Sequence, residues 1–152
     1  LIGRGTGIDD EGLARKRAAI EAGLARVVDR DWRSVAREVG GLEIIGLAGT
    51  ILAGASRRIP IVLDGVIVTA AALLASAISN NVSKYCIASH SSVEPAHRIA
   101  LEILGLEPLL DLKLRLGEAT GAILALPLVE AASRMVCEMR TFAEAGVSTK
   151  AT

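Results

Sequence analysis

Apolar positions recur at helical spacing from Asp9 or Asp10, either of which is placed to cap a first turn, through roughly Val28, with Gly23 as a weak point. Asp31 caps a short helix to about Val39. After the Gly40-Gly41 break, Leu42 to Ala55 predicts a helix rich in small residues and suited to close packing. IPIVLD predicts a buried strand that ends at Asp64-Gly65, followed by a helix from Val66 to Ser79. KYCIASH predicts a second strand ending at His90, then a loop, then a helix from Pro95 to Leu104 with proline in its first turn. Leu1-Ile2 reads as the end of a further strand running into the loop GRGTG. Strand, Gly/Ser-rich loop and helix, repeated, predict an α/β fold with a parallel Rossmann-like sheet flanked by helices. Past Pro108 the character changes: LLDLKLRL leads into LRLGEATG and a long helix to about Phe142, interrupted or kinked at Pro127.

This pattern brings three loops to one sheet edge: Gly3-Arg4-Gly5-Thr6-Gly7 with Lys16 downstream, Asp64-Gly65, and Ser89-His90-Ser91-Ser92. Glycine turns with free N–H groups, hydroxyls and one lysine suit an anion, most simply a phosphate. Singly, each has a plainer reading. GRGTG lacks the lysine and hydroxyl of a P-loop and the spacing of GxGxxG, and so also fits a tight turn; Lys16 fits a solvated helix position, and Asp64 a helix cap.

Composition narrows the classes. In 152 residues, 51% are hydrophobic but only 2% aromatic, so Ala, Leu, Ile and Val must build the core. Lys+Arg and Asp+Glu both number 17, which leaves no basic footprint for nucleic acid or an anionic membrane, and no aromatic platform for bases. Ile59 to Ile78 is apolar enough to raise a transmembrane question, yet Pro60 and the Asp64-Gly65 pair inside it favour strand, turn and helix. Cys86 and Cys137 stand far apart in apolar contexts and read as buried free thiols in a reducing cytoplasm. His90, Glu94 and His97 do not share a helix face across Pro95 and lack a third well-spaced ligand, so no metal is expected. His97 reads as a first-turn helix residue, and no serine-hydrolase elbow surrounds Ser92.

Glu118 poses the sharpest question. It stands between Gly117 and Gly121, at the mouth of the apolar run AILALPLV. A buried, unpaired carboxylate is costly. Glu118 is therefore either an acid at a helix start that reaches water, favoured by the helix dipole, or a base retained for chemistry.

The stretches GRGTGIDDEGLARK, EVGGLEIIGLAGTILAGASRRIPIVLDG, SHSSVEPAH and LEILGLEPLLDLKLRLGEATGA, in this order, closely resemble the nicotinate-nucleotide–dimethylbenzimidazole phosphoribosyltransferase (CobT) family, over about Gly3 to Ser148. The likeness is to the C-terminal part of proteins roughly twice as long or more. It implies transfer of the phosphoribosyl group of nicotinate mononucleotide to 5,6-dimethylbenzimidazole, giving α-ribazole 5′-phosphate and nicotinate, without metal or cofactor. By resemblance, Gly5, Lys16, Asp64, Gly65 and Ser92 hold the nucleotide, Leu116 packs on the benzimidazole, and Glu118 is the general base. It further implies residues 1–107 as the C-terminal part of a Rossmann-like nucleotide-binding domain, 108–148 as the catalytic loop and helices of a small helical domain, and 149–152 as a tail. A cytoplasmic homodimer, completed by an N-terminal half of the same protein, is the expected assembly. The family usually carries glycine where this chain has Ala96 and Ala119. The alternative from another class is a catalytically incomplete fragment that serves as a nucleotide-binding or dimerisation module.

Overall fold

The computed structural model describes residues 1–5 and 7–147; Thr6 of GRGTG, Ser148 and the expected tail at 149–152 lie outside the described residues. Among the described residues, six helices and four short strands follow one another as α1 (Asp10–Leu24), α2 (Trp32–Val39), α3 (Leu42–Ser56), β1 (Ile61–Leu63), α4 (Val66–Ile78), β2 (Cys86–Ala88), β3 (His90–Ser92), α5 (Pro95–Leu104), β4 (Leu110–Leu114) and α6 (Thr120–Glu138). The fold is α/β, with every strand pair parallel.

Helix starts follow local chemistry closely. Asp9 caps α1 by accepting from the Gly12 amide at 2.7 Å, and Asp31 caps α2 through the Arg33 and Ser34 amides. Ends are less faithful. α1 stops at Leu24, short of Val28, because Gly23 weakens the last turn and the Arg26 and Val27 amides fold back onto Gly23 and Leu24. α6 stops at Glu138 rather than Phe142. Beyond it Thr141 and Glu144 form a reciprocal capping box, each side chain accepting the other's amide, and so begin a separate turn. α6 is continuous through Pro127, which cannot supply the amide that the Ile123 carbonyl would otherwise accept.

The largest departure concerns KYCIASH. Lys84 and Tyr85 belong to a 3-10 turn (Val82–Tyr85), and the extended run after it continues past His90 to Ser92. Its first part, β2, pairs with β1 (Ile61 opposite Cys86), and its second part, β3, pairs with β4 (His90 opposite Leu110). Ser89 is the crossover: its amide donates to the Leu63 carbonyl on one side, and its carbonyl accepts from Leu110 on the other. A strand at Leu110–Leu114 was not legible in advance, and it converts the expected Ser89–Ser92 loop into sheet. Leu1-Ile2 finds no partner strand among the described residues and forms none.

The core lies between α3, α4 and β1. Leu63, Ala71, Ala72 and Ala75 are fully buried, joined by Ala48, Ile51 and Val82. Small residues let these layers approach closely, and a buried leucine such as Leu63 contributes about 1.5–3 kcal/mol. Within the Ile59 to Ile78 stretch, which forms β1, a turn and α4, Leu63, Ala71, Ala72 and Ala75 belong to this core while Ile59, Ile67 and Ile78 are exposed. The close packing expected of α3 is confined to one face: Gly54 abuts Ile61, whereas Gly46 and Gly49 look onto open space. Cys86 is buried, and burial pushes its thiol pKa up. Cys137 is exposed, contrary to expectation, because none of the described residues packs over that face of α6. Along the same helix Ile123, Leu124, Leu126, Leu128 and Val136 are exposed. By length and composition α6 is the one helix among the described residues that could cross a membrane.

Candidate functional site

All seven residues expected to contact substrate line a single cleft of about 700 Å³. Gly5 and Lys16 come from the first loop and α1, Asp64 and Gly65 from the end of β1, Ser92 from the end of β3, and Leu116 and Glu118 from the loop between β4 and α6. Parallel pairing accounts for the convergence of the five at or after the ends of β1, β3 and β4, since it brings the carboxyl ends of those strands to one side.

One end of the cleft suits an anion. Gly65 is the N-cap of α4 and offers no side chain, so the first-turn amides have no side-chain cap, and Val66, Ile67 and Val68 line the cleft. Lys16 is half-buried, in contrast to a solvated helix lysine, and its Nζ donates to the Gly3 carbonyl at 2.8 Å, which carries the ammonium back over the glycine loop. Gly5 takes a left-handed φ of 60° beside it. Arg115, which the sequence reading passed over, also lines the cleft and donates to the Gly5 carbonyl at 3.5 Å. Its position next to Leu116 in LRLGEATG was the available signal.

A buried chain of hydrogen bonds stitches two of these loops together. The Ser92 amide donates to His97 Nδ1 at 3.1 Å, so the other ring nitrogen carries the hydrogen and donates to Thr69 Oγ1 at 3.0 Å. Thr69 Oγ1 in turn donates to the Gly65 carbonyl at 2.8 Å. His97 is 1% exposed and Thr69 fully buried. Burial, reinforced by the neighbouring His90 and opposed by Asp64, lowers the His97 pKa and keeps the ring neutral. His97 is a first-turn helix residue, as its position indicated, but its partners lie 5 and 28 positions away, and no local pattern announces such a pairing.

The cleft is also lined by the apolar Leu47, Val62 and Leu116, together with Glu118. Glu118 is exposed and lies one residue ahead of the N-cap of α6, which is Ala119. Gly117, Glu118 and Ala119 have φ of 82°, 56° and 61°, three left-handed residues in succession. For the two that bear a Cβ this conformation costs about 1–2 kcal/mol each. Glycine is the favoured residue at such a position as Ala119 occupies. Ala96 is instead an ordinary position in the first turn of α5, where alanine is the better helix former.

Asp64 does cap a helix, but not the one that follows it. Its Oδ1 accepts from the Ala122 amide of α6 at 3.1 Å, 58 positions away. His90 is buried against the same first turn, with Nδ1 3.0 Å from Ser89 Oγ and 3.8 Å from Asp64 Oδ1.

Together these features define a class: a parallel α/β protein with one cleft that combines a lysine, glycine turns and a helix start without a side-chain cap with apolar side chains and one carboxylate. The chain belongs to the DBI_PRT phosphoribosyltransferase family, whose model matches residues 1–147. It is 55% identical over 152 residues to the nicotinate-nucleotide–dimethylbenzimidazole phosphoribosyltransferase of Chloroflexus aurantiacus, covering 99% of this chain and 43% of that protein. To the Geobacter sulfurreducens protein of the same name it is 52% identical over 147 residues, covering 95% of this chain and 42% of the relative. The crystal structure of CobT from Thermus thermophilus superposes with a TM-score of 0.90 at 52% identity, over 97% of this chain and 44% of that one. The chain spans less than half the length of the relatives it matches.

Proposed function

We propose that this chain carries the reacting portion of an enzyme that moves the phosphoribosyl group of nicotinate mononucleotide to 5,6-dimethylbenzimidazole, giving α-ribazole 5′-phosphate and nicotinate for the nucleotide loop of cobalamin. The observation that carries the reading is the meeting of Gly5, Lys16, Asp64, Gly65, Ser92, Leu116 and Glu118 on one cleft. Lys16 and the uncapped α4 start receive the phosphate, Gly5, Gly65 and Ser92 shape the nucleotide end, and Leu116 packs on the benzimidazole ring.

In this reading one ring nitrogen of the benzimidazole attacks C1′ of the ribose. The bond from C1′ to the pyridinium nitrogen breaks, its electron pair stays on the departing nicotinate ring, and the anomeric centre inverts. The entering ring becomes cationic, and Glu118 accepts the proton from its other nitrogen. Apolar walls keep water from competing as the nucleophile. The step asks for one base and one phosphate anchor, and neither a metal nor a cofactor takes part.

The working form is a cytoplasmic homodimer in which residues from the remainder of the protein cover α6, and residues 108–148 contribute to a small helical domain. A second reading is favoured by the short span relative to the relatives and by the bare apolar face of α6: the chain alone is a nucleotide-binding or dimerisation module without turnover. Glu118→Gln in a full-length protein tests the first reading. Formation of α-ribazole 5′-phosphate should fall at least about a hundredfold with little change in mononucleotide binding; a parent-like rate removes Glu118 from the chemistry. Sedimentation and transferase assay on the 15.8 kDa chain test the second, since a monodisperse monomer with full rate would exclude it.

A further inference from the structure

We propose that Asp64, His90 and Gly121 form a clamp that seats the first turn of α6 and thereby positions Glu118; the inference rests on the reading of Glu118 as the base. α6 begins without a side-chain cap of its own, because its N-cap is Ala119. The acceptor it lacks comes from the end of β1, where Asp64 Oδ1 takes the Ala122 amide at 3.1 Å. The flank of that turn rests on the start of β3. A Cβ at Gly121 would fall within 2.6 Å of the His90 ring atoms Nδ1, Cε1 and Cγ, so glycine is what allows the helix backbone to lie on the imidazole.

The two strand ends are themselves tied. Ser89 Oγ donates to the Asp64 carbonyl at 3.3 Å and lies 3.0 Å from His90 Nδ1, which leaves Nδ1–H to donate to the hydroxyl. His90 is 3% exposed and cannot swing aside. Glu118 stands two residues before the first residue of α6, within three left-handed residues. A turn held in that conformation needs a fixed neighbour, and the seated first turn is that neighbour. Because rate falls steeply when a reacting group is displaced by about 1 Å, such seating acts on turnover more than on ligand affinity. Asp64, His90 and Gly121 act in this as positioning residues.

The test compares Asp64→Asn, Asp64→Ala, Gly121→Ala and Glu118→Gln in a full-length protein, by kcat, by KM for nicotinate mononucleotide, and by hydrogen exchange at the Ala122 amide. Asparagine keeps the acceptor oxygen, so Ala122 exchange should stay within about threefold of the parent, whereas alanine should speed it at least about tenfold and lower kcat by roughly thirtyfold or more. Gly121→Ala should lower kcat to a similar extent with KM within about twofold. The clamp is overturned if Ala122 exchange is as fast in Asp64→Asn as in Asp64→Ala, or if Gly121→Ala keeps the parent kcat. Should Asp64→Ala fail to fold, Gly121→Ala decides. Glu118→Gln separates the two ideas: a parent-like rate there defeats the base reading, while Ala122 exchange still reports on the clamp.

Discussion

The two sides of the cleft are held by opposite means. On the nucleotide side, Ser92, His97, Thr69 and Gly65 form an unbroken buried hydrogen-bonded chain in which donors and acceptors alternate without conflict. On the base side, Glu118 rides on a turn of three left-handed residues, exposed to solvent, between the end of β4 and the start of α6. Under the proposed function the first side calls for a fixed ligand geometry, since a charged phosphate tolerates little displacement from its donors. The second is adjustable, because an apolar wall and one carboxylate accept small differences in ring shape. Under that function, affinity for the nucleotide and choice of base would fall on separate structural elements.

Removing the cation at the nucleotide side should have the largest effect on binding. In a full-length protein, Lys16→Ala should weaken nicotinate mononucleotide by roughly tenfold to a hundredfold, the scale of a charge-assisted hydrogen bond, and leave free benzimidazole nearly unchanged. Equal losses for both ligands, measured by calorimetry, would place Lys16 outside the anion site.

Cutting the buried chain comes next. Thr69→Val strands the His97 Nε2 hydrogen, while the Gly65 carbonyl keeps the backbone amide of residue 69, at a cost of about 1–3 kcal/mol in unfolding free energy, measured by denaturant titration. If Thr69→Val instead leaves stability unchanged, the two sides of the cleft do not differ as described.

Acid should loosen the same side more gently. His97 is held below its ordinary value by burial first and by His90 second, so the unfolded chain takes up the proton before the folded one does. This contribution to stability is intact above about pH 6.5 and is lost as the pH falls from there through the lowered folded-state value. Protonation also abolishes the acceptor for the Ser92 amide. Unfolding titrations at pH 7.5 and pH 5 should show the drop, and His97→Gln should flatten it; an equal drop in His97→Gln would assign it to other groups.

The smallest effect belongs to the base side. Ala119→Gly relieves a left-handed alanine and should raise stability by no more than about 1 kcal/mol, read as a small increase in Tm. A decrease would show that the turn is not strained at this residue.

Much of the architecture was legible because it is local. Asp9 and Asp31 cap the helices they precede, Pro95 opens α5, and the apolar run IPIVLD makes a strand, each from interactions within a few residues. The candidate site was legible in part for the same reason: glycine loops after strands, and an acid between glycines, are local patterns whose convergence follows from parallel pairing. The sequence by itself thus determined the helix starts at Asp9, Asp31 and Pro95, the α/β class and the family. Tertiary structure alone decided the rest. It split one expected strand at Ser89 between two partners, turned Asp64 from a cap on α4 into one on α6, and joined His97 to Thr69 across 28 positions. The physical reason is common to all three. A buried donor or acceptor must be satisfied by whatever group the packed chain brings within reach, and that group is chosen by proximity in space, which local sequence does not encode.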